Sequence, residues 1–190
     1  MQRLDLSIVN IIDVESTCWE SSPPEGQEQE IIEIGICPLD VATAGPLAHE
    51  SLLVRPQRST VSPFCTRLTT LTPEQVAHGI PFADACALLQ TRYQSKRRVW
   101  MSYGDFDRGQ FERQCDSFGV EYPFGRRHVN IKNWLALALA LRREVGMAEA
   151  LALLGLPLEG THHRGGDDAR NIARIAAKLL LASRSVTRES

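Results

Sequence analysis

The chain is predicted to adopt an α/β fold with a mixed sheet, and three observations predict it. Residues 7–13 (SIVNIID), 30–40 (EIIEIGICPLD) and 50–56 (ESLLVRP) are apolar and rich in β-branched residues. The polar, turn-rich segment 20–29 (ESSPPEGQEQ) separates the first two, so the three read as an antiparallel meander. Beyond residue 72 the apolar spacing becomes helical, interrupted by two further strand-like segments.

The second strand is expected to be broken by Pro38 and the third to be stopped by Pro56. A helix over 72–79 follows from a capping Thr72, Pro73 at the first turn and Gly79 as a stop. Residues 81–95 carry Phe82, Ala85, Cys86, Leu89 and Tyr93 at helical spacing. Residues 97–104 read as a strand running into a turn, 107–118 as a helix with Phe111 and Cys115 four apart, and 128–131 as a short strand. Segment 132–144 alternates Leu with Ala; both favour helix over strand, so helix is predicted. A short helix over 147–155 ends at Gly155. The last helix begins near Gly166 and presents Ile172, Ile175, Ala176 and Leu179 on one face. Residues 1–182 are expected to form one domain, with 183–190 as a polar tail.

The 190 residues, 43% hydrophobic and 23% charged, suffice for one domain with a substantial core. A formal net charge of -2 argues against a large non-specific grip on duplex nucleic acid. The five cysteines are scattered without a C-x-x-C pair, which argues against a zinc knuckle or disulfide framework and for a reducing, cytoplasmic setting. The N-terminal apolar run is interrupted by Asp5, and the run Trp134–Leu141 is far too short to span a bilayer, so neither a signal peptide nor a membrane partner is expected.

The first strand ends in two acids. Asp13 and Glu15 are two apart and share a face, with Val14 on the other. Paired carboxylates repel unless a proton or cation lies between them, and Mg²⁺ or Mn²⁺ favours such oxygen ligands. A strand end emerging into water is the ordinary alternative. Two further segments change the balance. SYGDFDRGQF (102–111) delivers Asp105 and Asp107 after a strand, and HHRGGDDARNIARI (162–175) delivers His162, His163, Asp167 and Asp168 at a helix start. One of those aspartates would serve equally as a helix cap. Acids from three segments beside an imidazole suit metal-assisted hydrolysis.

With these motifs the chain resembles the DEDDh 3′→5′ exonucleases, the DnaQ-like group of the ribonuclease-H-like fold, and more closely the Eri-like branch. The D-x-E-x-T motif matches Asp13, Glu15 and Thr17, continuing as TCW through Trp19. GDFD matches the second motif with Asp107, not Asp105, as the working acid. H-x4-D matches His163 and Asp168, leaving His162 and Asp167 as neighbours. DDARNIARI and FCTRLTTLT (64–72) are also similar to the branch, although it usually has glycine where Thr70 stands. The resemblance covers about residues 7–182.

The resemblance implies a ribonuclease-H-like mixed sheet, a three-stranded antiparallel meander plus parallel strands flanked by helices. It also implies two Mg²⁺ or Mn²⁺ ions per active site held by Asp13, Glu15, Asp107 and Asp168, with Glu15 and His163 catalytic and His163 taking a proton from water. Thr17 and Cys18 would bind the terminal 3′ hydroxyl through backbone groups, and Phe64 and Phe106 would hold the terminal base. Phe64 packs in the core as readily, and Trp19 stacks on a base or covers a loop. Arg164 is the leading basic candidate to guide the backbone, beside 96–98, 126–128 and 142–143, each of which also reads as a solvated face. Glu30 and Glu33 read as structural. The implied substrate is single-stranded RNA or DNA with a free 3′ end, released as nucleoside 5′-monophosphates; a protein partner or homodimer stays open. The rival readings are a catalytically silent nucleic-acid-binding module and a hydrolase of very short oligonucleotides.

Overall fold

A computed structural model describes residues 4–185. Its centre is a long strand, β1 (Asp5–Ser16), antiparallel to β2 (Ile31–Asp40) on one side and parallel to β5 (Arg98–Ser102) on the other. Two short strands, β3 (Gly45–Pro46) and β4 (Glu50–Leu53), pair antiparallel with β2. On the far side β5 pairs in parallel with β6 (His128–Asn130). The expected meander and the expected parallel strands are both present in one mixed sheet.

Strand boundaries differ from expectation in informative ways. β1 runs past Asp13 to Ser16, so both acids of the first motif sit within the strand. Pro38 does not break β2; its carbonyl accepts from the Leu47 N–H at 2.8 Å. The alternation of β1 sorts its side chains cleanly. Val9 and Ile11 join one core, against the last three helices, α5 (Ile131–Ala138), α6 (Met147–Leu153) and α7 (Gly165–Ser185). Ile12 and Val14 join a second core on the opposite face, with Trp100, Phe82 and Phe111; the last two come from α3 (Phe82–Arg92) and α4 (Phe106–Phe118). Burying each such Ile or Phe contributes about 1.5–3 kcal/mol, which fixes the register of β1 and with it the direction of its terminal acids.

Three helical segments depart from expectation. A helix α1 (Pro63–Thr69) forms where none was predicted, capped by the Ser62 hydroxyl, which accepts from the Cys65 N–H at 3.0 Å. It ends at Thr70 with φ 63°, the left-handed conformation that glycine adopts without strain. The predicted helix over 72–79 is α2 (Pro73–Ala77), with a full capping box between Thr72 and Gln75. The helix predicted over 132–144 stops at Ala138. Ala140 turns left-handed at φ 50°, its N–H bonds the Leu137 carbonyl, and the Leu141 N–H reaches back to the Ala136 carbonyl. That closure lets Leu141 return to the core instead of continuing outward. Of the tail expected over 183–190, the first three residues continue α7 and the others lie outside the described residues.

The start of α7 is seated on β2 by a glycine. A Cβ on Gly35 would lie 1.7 Å from the Gly165 carbonyl oxygen. Gly35 pairs with Asp13 across the sheet, so this close approach delivers the first turn of α7 beside the first-motif acids. Glu33, two residues earlier and fully buried, locks it there by accepting from the Gly165 N–H at 2.7 Å and from Arg164. Gly35→Ala is therefore expected to push α7 off the sheet, costing about 1–3 kcal/mol by overpacking and weakening any ion held between the strand and the helix. Thermal unfolding and Mn²⁺ titration of the variant check both effects; a variant unchanged in both would contradict this seating.

Candidate active site

Three elements meet at one end of the sheet. β1 contributes Asp13 and Glu15, the first turn of α4 contributes Asp107, and the first turn of α7 contributes Asp168. Asp13, Glu15 and Asp168 each place a carboxylate oxygen within 4.8 Å of the others. Asp107 is buried at the same cleft, with Oδ1 accepting from the Val14 N–H at 2.9 Å. The cleft encloses about 400 Å³.

The electrostatics of this group are unfavourable as they stand. Burial, then the charges of Asp107, Glu15 and Asp168, raises Asp13 well above the usual carboxylate range. Burial, then Asp168 and Glu33, pushes Glu15 up to about 8. Burial raises Asp107 to about 7 despite the Val14 N–H and the Ser102 hydroxyl, which favour its charged form. Asp168 is raised by burial, opposed chiefly by the His163 N–H and by His162. Carboxylates so placed demand protons or a cation. The donors are all hard oxygens, the set that suits Mg²⁺ or Mn²⁺.

The two histidines divide their work differently from the expected pattern. His163 lines the cleft, but its bond to Asp168 is through the backbone N–H, at 2.8 Å to Oδ2. The ring on Asp168 is that of His162, with Nδ1 3.0 Å from Oδ2. The two imidazoles stack at 4.0 Å between centroids. Burial, and then His162, lowers the His163 pKa, which favours the neutral imidazole. His163 has φ 63°, a left-handed backbone that a non-glycine residue occupies at a cost of about 1–2 kcal/mol.

The remaining expected site residues divide. Cys18 and Phe106 line the cleft, Phe106 half exposed at 50%. Asp105 stays outside, accepting from Asn130 Nδ2 at 3.0 Å, and Asp167 caps the Thr161 N–H at 2.8 Å. Thr17 lies outside the residues that line the cleft. It is fully buried, its N–H donates to the Glu30 carbonyl and its hydroxyl donates to the Glu28 carbonyl, so both groups tie down the strand end. Phe64 is half-buried outside the cleft lining, under the Arg67 guanidinium; α1 presents Leu68, one turn on, to the cleft instead. Arg164 pairs with buried Glu33 at 3.0 Å, an ion pair that anchors the start of α7. Glu30 accepts from the N–H groups of Gln57, Arg58 and Ser59 and, like Glu33, is structural.

Several lining residues went unrecognised in the sequence: Ser16, Leu68, Tyr103, Lys132 and Met147. Lys132 had a usable signal. It is the second residue of α5, just past β6, at the carboxyl end of a parallel strand, where open α/β sheets collect ligand-binding groups. Its ammonium is held 3.3 Å from Glu144.

The family model described as Exonuclease (RNase_T) matches residues 10–176. The 3'-5' exoribonuclease 1 of Homo sapiens is 32% identical over 183 residues, which is 90% of this chain and 51% of that protein. The chain thus spans about half the length of the human protein and of its Rattus norvegicus counterpart. Among solved structures, the nuclease domain of 3'hExo, a DEDDh family member, bound to rAMP, superposes with a TM-score of 0.83 at 28% identity over 95% of both chains. A structure of a 3'-exonuclease recognising the 3' end of a histone mRNA stem-loop gives a TM-score of 0.82 at 28% identity, covering 93% of this chain and 83% of that one.

Proposed function

We propose, from the premise that this chain belongs to the RNase_T exonuclease family, that it is a divalent-metal-dependent 3′→5′ exonuclease acting on single-stranded ends. The observation that carries this reading is the convergence of Asp13, Glu15 and Asp168 within 4.8 Å, with buried Asp107 beside them. These four would hold two Mg²⁺ or Mn²⁺ ions. When bound, such ions lower the pKa of water, polarise the phosphoryl group and offset charge on the leaving oxygen.

The chain's own groups account for the rest. Water attacks the terminal phosphorus, the bond from phosphorus to the 3′ oxygen of the preceding nucleotide breaks, and a nucleoside 5′-monophosphate leaves. His163, held neutral by its surroundings, takes the proton from the attacking water. His162 braces both Asp168 and the His163 ring. Phe106 offers an exposed face for the terminal base, and stacking tolerates any base. A single-stranded RNA end is the favoured substrate because the similar human protein is an exoribonuclease and the similar nuclease domain holds rAMP.

Oligonucleotides labelled at the 3′ or the 5′ end, incubated with Mn²⁺ and then with EDTA, test this directly. Stepwise, EDTA-sensitive loss from the 3′ end is expected. Binding without cutting would favour a silent module, and cleavage of dimers alone would favour a hydrolase of very short oligonucleotides. Phe106→Ala is expected to slow trimming about 5–150-fold, the range of losing about 1–3 kcal/mol of stacking, without lowering the melting temperature. An unchanged rate on short substrates would remove Phe106 from the site.

A further inference from the structure

We infer that the pocket between α4 and β6 is a second site for single-stranded nucleic acid, holding a nucleotide of the strand behind the 3′ end that enters the cleft; this rests on the exonuclease reading above and extends it. The pocket encloses about 380 Å³, and Arg108, Arg126, Tyr122, Phe124, His128 and Trp100 line it.

Its aromatic wall follows from the sheet. β6 pairs in parallel with β5, which sets His128 opposite Trp100. Trp100 stacks on Phe124 with ring centroids 4.2 Å apart, and His128 lies 4.2 Å from Trp100. Tyr122 meets Phe124 edge-on at 5.6 Å. Trp100 and Phe124 are buried, Tyr122 and His128 are half-buried, and Arg108 and Arg126 are exposed.

Its charge follows from two loops that meet. The Gly125 N–H donates to the Ser95 carbonyl at 3.1 Å, which brings the basic clusters 96–98 and 126–128 to one edge of a chain whose formal net charge is -2. Lys96 is paired with Glu121, Arg98 with Asp5 and Arg108 with Glu112. Among the described residues Arg126 has no such acidic partner, so its guanidinium is available to an anion.

Two elements join this pocket to the cleft. On α4, Phe106 and Asp107 line the cleft and Arg108 lines the pocket. Across β6 and the start of α5, Lys132 lines the cleft and His128 the pocket. A strand whose last base rests on Phe106 therefore has the pocket beside the nucleotides that follow. A guanidinium fork matches a phosphate, and rings accept any base by stacking, so the set fits a nucleotide of any sequence. An acidic peptide would satisfy Arg126 but leave the rings without a stacking partner.

The test measures kcat/KM with Mn²⁺ on single-stranded RNA of about ten nucleotides and on a dinucleotide, over a range of salt, for wild type, Arg126→Ala and Arg126→Lys. Arg126 is exposed, so neither substitution disturbs the fold. The wild type is expected to favour the longer RNA, and Arg126→Ala to lower that preference about threefold to tenfold. On the longer RNA the same variant should reduce the slope of log kcat/KM against log salt by about 0.7, the share of one phosphate contact on a single strand. Arg126→Lys keeps the charge and should keep the wild-type slope. An active wild type indifferent to length, or a length preference and salt slope unmoved in Arg126→Ala, would overturn the second site. Wild type inactive on both RNAs would overturn the exonuclease reading itself.

Discussion

Asp13→Asn is expected to cut the cleavage rate by at least 10²–10³-fold, on the order of losing one preorganised charge-stabilising group, while raising the melting temperature of the metal-free protein at pH 8. The two effects share one cause. Asp13 is half-buried beside Asp107, Glu15, Asp168 and Glu33, and its carboxylate is unstable there without a cation. Asparagine keeps the shape and removes the charge. The pH dependence has a definite sign. A carboxyl whose folded pKa is raised contributes stability that is fully present below its ordinary value near 4 and is lost as pH rises through the folded value. Glu15 titrates at about 8 and Asp107 at about 7. The metal-free wild type should therefore melt progressively lower between about pH 4 and pH 8, Asp13→Asn should lose less over that window, and Mn²⁺ should restore the wild type most at the alkaline end. Differential scanning of both proteins with EDTA and with Mn²⁺ measures this. A variant that melts lower than wild type in EDTA at pH 8 would mean that Asp13 is structurally satisfied.

His163→Ala is expected to lose about 10²–10⁴-fold in rate, the usual contribution of a general base, and with it the acid limb of the rate profile. Burial and the neighbouring His162 lower the His163 pKa below its ordinary value near 6.5. The imidazole is then already neutral at pH 7, and activity should fall only below roughly pH 6, as the ring takes on a proton. Saturating metal at each pH separates this limb from protonation of the carboxylates. A wild-type profile flat between about pH 5.5 and pH 8, or a variant retaining the same limb, would contradict the role.

The acids of the site were legible because strand alternation fixes where side chains point. Asp13 and Glu15 follow an apolar run that needs its even and odd residues in two separate cores, so their shared face is dictated by Val9, Ile11, Ile12 and Val14. Asp107 and Asp168 were legible through motif context. What was not legible depends on close approach and on local reversals. Gly35 looks like a weak strand residue until the carbonyl of Gly165 is seen to occupy the space of its missing side chain. Arg164 adjoins His163 in sequence, yet the left-handed turn at His163 sends it to buried Glu33. Thr17 sits in the motif, but the orphan backbone groups of residues 28–30 consume its bonding capacity. The α1 helix is a capped segment of about two turns whose buried face is Cys65 and Thr69, too short and too polar for periodicity to reveal. Leu68 shares a helix face with Phe64 but lies one turn further along the axis, and it is Leu68 that reaches the cleft.

The account depends on the four carboxylates forming one cation-binding centre. Calorimetric titration of Mn²⁺ into the metal-free protein at pH 8 tests that most directly. The expected result is saturable binding of two ions per chain in wild type, with loss of binding in Asp13→Asn. Absence of saturable binding in correctly folded wild type, or identical isotherms for the two proteins, would contradict it.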